Sequence, residues 1–210
     1  MKINRHIYWL SGAPFVQTAN VFAIDHGNGV VLIDCEKESS IQGLDEQLQY
    51  WGLFDKVTHV LLTHHHHDHA GNAKLFQERG AVILAPAVDA PRIAVGGFYD
   101  TPLPEAIFKT MMSYTPCQVD RELADGETFD IGNLTFKAIA MPGHTAGSMF
   151  YETVVEDKTV LITGDVTFPS GGLGTDAELC WKDATDYSSR DYVESLVKVA
   201  TMQPDILLGG

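Results

Sequence analysis

Cysteine is scarce in this chain, acidic residues outnumber basic ones two to one, and no apolar run approaches the length of a membrane span. The three cysteines, Cys35, Cys117 and Cys180, are odd in number and widely spaced. They offer neither a disulfide framework nor a Cys-x-x-Cys metal motif, and small core or loop positions are their default reading. The 14 Lys and Arg against 28 Asp and Glu leave a formal net charge of −14, and the basic residues form no run. Nucleic-acid partners need clustered positive charge to neutralise phosphates, so they are not expected. No stretch of about 18 apolar residues occurs, which argues against a membrane span. Met1 to Tyr8 lacks the apolar core and small-residue cleavage site of a signal peptide, and the expectation is a cytoplasmic protein. A nucleophile-elbow motif is also missing.

What is present is a pattern of short apolar strands with a few helices. The chain has 210 residues, 45% of them hydrophobic, enough for one sizeable core or two tightly packed halves. Ile7–Leu10, Ala19–Ile24 and Val30–Ile33 read as strands, with Asp25 to Gly29 as a hairpin turn. Ser39–Tyr50 reads as an amphipathic helix carrying Ile41, Leu44 and Leu48 on one side. Val57–Thr63 and Ala81–Ala85 read as buried strands. The second half repeats the theme: strands at Glu127–Ile131, Leu134–Ala140, Met149–Val154 and Lys158–Thr163, then a helix over Arg190–Met202 with Tyr192, Leu196, Val199 and Ala200 inward, and a last strand within Pro204–Gly210. Periodicity by itself gives a mixed α/β protein without a linker or low-complexity segment.

The densest chemistry follows the Val57–Thr63 strand. His64-His65-His66-His67-Asp68-His69 packs five imidazoles and a carboxylate into six positions. Nitrogen and carboxylate donors together suit zinc and related divalent ions. Side chains on extended backbone alternate in direction, so His64 and His66 are expected to share one side, while His65 and His67 face away and are dispensable. Asp68 and His69 open a helix running toward Phe76. The bland readings are an affinity tag or a loose surface metal tract. A tag belongs at a terminus, and a loose tract needs neither the apolar strand before it nor the Asp68-His69 pair after it.

Two later strands also end in potential ligands. Leu134–Ala140 runs into Met141-Pro142-Gly143-His144, where Pro142 and Gly143 break the strand and leave His144 on a tight loop. Lys158–Thr163 runs into Gly164-Asp165. Alone, His144 is a loop histidine and Asp165 a turn residue. Together with the first cluster they make a two-ion set: His64, His66 and His144 at one ion, Asp68 and His69 at the other, and Asp165 bridging.

With these residues in view, the chain resembles the metallo-β-lactamase-fold hydrolase superfamily. His64-x-His66-x-Asp68-His69, the Pro142-Gly143-His144-Thr145 loop and Thr163-Gly164-Asp165 match that family's motifs in order and context, and the likeness covers nearly the whole chain. The first motif is highly specific; the other two are specific only in its company. The resemblance implies a four-layer αββα sandwich of two mixed sheets, formed by residues 1–210 as a single domain. It also implies two divalent cofactor ions, zinc by preference with iron or manganese as alternatives. One departure stands out. The family's last ligand is a histidine after a C-terminal strand, and no histidine follows His144 here. The domain is therefore expected to end just short of that loop; a single-metal enzyme and a ligand borrowed from another chain are the other readings.

The resemblance implies a hydrolase in which a hydroxide shared by two ions about 3.5–4 Å apart attacks a carbonyl. Asp68 is the catalytic residue that orients the hydroxide and takes its proton. Asp165 and the complete His-x-His-x-Asp-His resemble glyoxalase-II-type thioesterases and lactonases, so the substrate is expected to be a small ester, thioester or lactone. Three alternatives remain: a mononuclear iron enzyme of the persulfide-dioxygenase type, a β-lactamase-like hydrolase, and a non-catalytic metal-binding module. The long apolar segment Pro86–Pro116 is read as a lid or pocket wall in which Phe98, Tyr99, Met111 and Tyr114 touch substrate. The competing reading is a satellite helix whose aromatics only pack on the sheet.

Overall fold

A computed structural model describes residues 1–12, 19–97, 113–167 and 188–210 of the chain. Two mixed β-sheets face each other. The first holds β1 (Ile7–Ser11), β2 (Val21–Asp25), β3 (Val30–Ile33), β4 (Val57–Leu61), β5 (Val82–Pro86) and β6 (Arg121–Leu123), in that spatial order. Its first three strands are antiparallel and its last four run parallel. Parallel neighbours need crossovers. Helix α1 (Ile41–Tyr50) joins β3 to β4, and α2 (His67–Ala70) with α3 (Ala73–Glu78) joins β4 to β5. A short helix, α4 (Ala90–Ile93), follows β5.

The second sheet holds β7 (Thr128–Ile131), β8 (Leu134–Ala140), β9 (Met149–Val155), β10 (Lys158–Gly164) and β11 (Ile206–Gly209), in the spatial order β11-β10-β9-β8-β7. β7 to β10 form an antiparallel meander, and β11 adds parallel to β10 after helix α5 (Ser189–Val199).

The alternation of side chains along each strand sorts the buried residues into layers. Val31, Ile33, Leu61 and Leu84 of the first sheet meet Phe129, Phe136, Tyr151 and Ile162 of the second. The opposite faces of the first-sheet strands, with Leu32, Val60 and Ile83, pack on Leu44 and Leu48 of α1 and Phe76 of α3. The outer face of the second sheet, with Phe150 and Leu161, packs on Tyr192 of α5. Helix, sheet, sheet and helix thus follow one another, as the αββα expectation requires. Phe129 and Phe136 stack with ring centroids 5.6 Å apart; each such buried side chain contributes roughly 1.5–3 kcal/mol by leaving water.

Most elements fall where the sequence places them, and the differences have local causes. β4 stops at Leu61 rather than Thr63, because the Thr63 amide donates to the Asp34 side chain at 2.8 Å instead of to a neighbouring strand. The helix expected from Asp68 to Phe76 is broken at Gly71-Asn72. There the Asn72 amide and its Nδ2 donate to backbone carbonyls of Cys35, Glu36 and Lys37, tying the break to the loop after β3. On α5, Ala200 is exposed and lies past the helix end, whereas Ser195 takes a buried position and donates to the Pro142 carbonyl at 2.8 Å. The three-residue β6 is too short to have left a periodic signal. No described helix is long and apolar enough to cross a membrane.

Candidate metal centre

Three strand ends converge at one edge of the two-sheet core. β4 leads into Leu62-Thr63-His64-His65-His66 and α2. β8 leads into the Met141–Ser148 loop. β10 ends at Gly164 and delivers Asp165. Met149 N donates to Thr63 O at 3.1 Å, tying the start of β9 to the loop after β4, and Gly210 N, just after β11, donates to Gly164 O at 2.8 Å. Gly164 has φ +47, and a Cβ there would stand 2.7 Å from Thr63 Oγ1. Glycine is what lets the β10 turn pass this close to the β4 loop.

Five of the six residues singled out in the sequence as ligands meet at this edge. His64, His66 and His144 form one group that could hold a metal ion, and His64, His69 and Asp165 form a second; within each, one donor atom per residue lies within 4.8 Å of the others. His144 Nε2 is 3.2 Å from His64 Nε2 and 2.9 Å from His66 Nδ1. His69 Nε2 is 3.1 Å from Asp165 Oδ1, and His144 Nε2 is 3.5 Å from Asp165 Oδ2, so Asp165 lies between the two groups. Asp68, on the first turn of α2, belongs to neither group among the described residues, although its charge reaches His144.

The donor set fits a cation. Burial, reinforced by neighbouring histidines, pushes His64 and His66 well below the usual imidazole pKa. Burial also lowers His144, with Asp165 opposing the effect. These rings favour the neutral form, with lone pairs available. Three nitrogens each 2.0–2.1 Å from a tetrahedral zinc ion stand about 3.3 Å from one another, close to the separations of 2.9 and 3.2 Å here. His69 behaves differently. Burial works against its charge, but Asp165 and Asp34 outweigh it and raise its pKa well above the ordinary value. Asp165 is disfavoured as an anion by burial, yet His69 and His144 hold its pKa down at about 2.

Supporting residues escaped the sequence reading. Asp34, at the end of β3 with φ 58, accepts from Thr63 N and Thr63 Oγ1, both at 2.8 Å, and lies 2.8 Å from His69 Nδ1. A carboxylate can only accept, so both ring nitrogens face acceptors here: Nδ1 faces Asp34, and Nε2 is directed at Asp165 Oδ1, 3.1 Å away. The available signal was an acid directly after the apolar Val30–Ile33 strand. Tyr151 donates its hydroxyl to Leu62 O and Tyr114 donates to His65 O, both at 2.7 Å. Tyr114 is buried in the helix-side core of the first sheet. Phe98, Tyr99 and Met111, expected with it at the substrate, lie outside the described residues, as does Cys180. His65 belongs to neither ligand group, although its ring lies 4.9 Å from that of His66, and it does not reach solvent: it is 1% exposed, with Nδ1 3.0 Å from Asp89 Oδ2. Strand alternation alone does not show this buried contact with Asp89, just before α4.

The comparisons with known proteins agree with this architecture. A family model described as the metallo-beta-lactamase superfamily matches residues 15–210. A hydroxyacylglutathione hydrolase of Rhizobium etli is 36% identical over 117 residues, which are 55% of this chain and 36% of that protein. The matched stretch thus spans about a third of such relatives. An uncharacterized Bacillus subtilis protein, YobT, is 30% identical over 199 residues, covering 86% of this chain and 76% of its own length. Among solved structures, a metallo-beta-lactamase from Cronobacter sakazakii superposes over 100% of this chain and 79% of its own, with a TM-score of 0.79 at 22% identity. BJP-1, a subclass B3 metallo-beta-lactamase of Bradyrhizobium japonicum, does so over 100% and 76%, with a TM-score of 0.79 at 25% identity. By its sequence motifs, its two facing mixed sheets and its match to the family model along nearly its full length, the chain belongs to the metallo-beta-lactamase superfamily.

Proposed function

We propose that the protein is a metal-dependent hydrolase of a small thioester, ester or lactone, carrying two divalent ions, most simply zinc. The observation that carries this reading is the convergence of His64, His66, His144, His69 and Asp165 at one edge of the sandwich, in two groups that share His64. His64, His66 and His144 would hold one ion. His69 and Asp165, with Asp68, would hold the other. When bound, such ions supply Lewis acidity toward a carbonyl oxygen and a water acidic enough to react near neutral pH.

The chain's own residues then have distinct tasks. Asp34 keeps the hydrogen of His69 on Nδ1, so Nε2 stays directed inward. Asp165 stands between the two groups and ties them together. Asp68, at the start of α2 with its side chain 23% exposed, is the residue we assign to orient water and accept its proton. His64, His69 and His144 are buried, which keeps bulk water from competing for their ring nitrogens. The likeness to hydroxyacylglutathione hydrolases favours a thioester among the candidate substrates.

The test is metal analysis coupled to a substrate panel. Protein loaded with zinc should hydrolyse at least one member of a panel of acyl-glutathione thioesters, aryl esters and lactones. Chelation or His144→Ala should abolish that turnover. Fully loaded protein inert toward the whole panel would refute the proposal, as would near-stoichiometric native iron with substrate-dependent oxygen consumption.

A further inference from the structure

A second buried carboxylate stands behind the three-histidine group. Asp89, just before α4, is 0% exposed. Its Oδ2 accepts the His65 amide hydrogen at 2.9 Å and the Thr145 hydroxyl at 3.0 Å, and lies 3.0 Å from His65 Nδ1. His65 is the residue between His64 and His66, and Thr145 directly follows His144. One oxygen atom therefore holds the His65 amide, between His64 and His66, and the Thr145 side chain, next to His144. The approach is close on the other oxygen too. A Cβ on Gly147 would stand 2.2 Å from Asp89 Oδ1 and 2.9 Å from Asp89 N, so only glycine lets the His144 loop close over this carboxylate. Ser148 completes the loop: its Oγ accepts the Thr145 amide at 2.9 Å and sits 2.9 Å from Thr145 Oγ1. With Thr145 Oγ1 donating to Asp89, the Ser148 hydroxyl is the donor in that second contact.

Taking a carboxylate fully out of water is costly unless donors surround it. Here the donors come from two loops and converge on one oxygen, Oδ2, while Oδ1 has no hydrogen-bond partner among the described residues. Metal sites lose affinity steeply when the groups orienting their ligands are removed. We infer that Asp89 is a positioning residue: through His65 and Thr145 it locks the His144 loop onto the His64–His66 loop, and so sets the affinity of the three-histidine group for a divalent cation. The inference rests on the metal-binding reading above. It also makes a division of labour. Asp34 bonds His69 directly and reaches the three-histidine group only through Thr63, whose hydroxyl lies 3.0 Å from His64 Nδ1, whereas Asp89 bonds the loops that carry His64, His66 and His144.

The experiment uses the full chain stripped by chelation and titrated with Zn²⁺ or Co²⁺ against a chromophoric competitor, with the melting temperature of each apoprotein measured in parallel. His144→Ala identifies which binding class belongs to the three-histidine group. Asp89→Asn is expected to weaken that class by about 10- to 100-fold, leaving the other class within about threefold and changing the cobalt spectrum of the weakened class alone. Thr145→Val, which keeps the carboxylate but removes one of its donors, should weaken the same class by a smaller factor. Unchanged affinity in Asp89→Asn would overturn the inference. So would equal weakening of both classes in step with apoprotein melting, since a merely structural role predicts that. If Asp89→Asn does not fold, Thr145→Val decides, and wild-type affinity there overturns the inference. Wild-type protein that takes up no metal defeats this inference and the proposed function together, whereas normal wild-type binding with unaltered variants defeats this inference alone.

Discussion

His69 donates its Nδ1 hydrogen to Asp34 Oδ2 over 2.8 Å, and the same carboxylate receives both the amide and the hydroxyl of Thr63. A residue at the end of β3 thereby fixes the point where the chain leaves β4 and, six residues after Thr63, the orientation of an imidazole. Asp34→Asn keeps the shape but replaces one acceptor by an NH₂ donor, which must oppose either Thr63 or His69. The variant should bind metal at the His69–Asp165 position about 10- to 100-fold more weakly and lose on the order of 1–3 kcal/mol of stability. Metal titration and urea unfolding of the same preparation check the two effects together.

The histidine run makes a graded prediction. His66→Ala removes a member of the three-histidine group and should eliminate one metal equivalent and lower turnover by at least about 100-fold, as expected when a ligand of a catalytic ion is lost. His67, which is half-buried but belongs to neither ligand group, should tolerate alanine with activity within about twofold. His65→Ala should fall between them, because its ring is buried against Asp89. Metal content and initial rates measured side by side rank the three. Equal loss in all three variants would contradict the geometry.

Two tyrosine hydroxyls support the loop from below. Tyr151 reaches Leu62 O and Tyr114 reaches His65 O, both at 2.7 Å. Phenylalanine at either position leaves a carbonyl short of a donor in a buried setting, which costs about 1–3 kcal/mol. The denaturation midpoints of Tyr114→Phe and Tyr151→Phe should fall with an unchanged slope, since neither change alters the surface exposed on unfolding.

Chelation should destabilise the protein measurably. An ion present at 100 times its dissociation constant adds about 2.7 kcal/mol to the folded state. Stripping with a chelator should therefore lower the melting temperature, and zinc should restore it in proportion to the logarithm of its free concentration. A melting temperature indifferent to chelator and zinc would contradict a specific site.

All the strands but β6 were legible because each carries apolar residues at every second position or in an unbroken run. Val30–Ile33 and Leu134–Ala140 coincide with β3 and β8 to the residue. The convergence of His64, His66 and His144 was legible because each lies at or just beyond a strand end, and strand ends gather at one edge of a layered fold. Asp34 and Asp89 were not legible. Each is a single acid whose role depends on donors 24 to 56 residues away, and such spacing leaves no periodic mark. The burial of His65 was missed for a related reason. Alternation gives the direction of a side chain but not what waits on that side, and here it is α4 and the Asp89 carboxylate rather than solvent. The break at Gly71-Asn72 was hidden because helix periodicity continues across it, while the cause lies in the Asn72 side chain bonding the loop after β3.

The most direct measurement is anomalous diffraction at the zinc edge from crystals grown with the metal. The account predicts a peak in contact with His64 Nε2, His66 Nδ1 and His144 Nε2, and a second beside His69 Nε2 and Asp165. A map with no anomalous density among these side chains, or crystals in which His144 and Asp165 stand apart from His64 to His69, would contradict it.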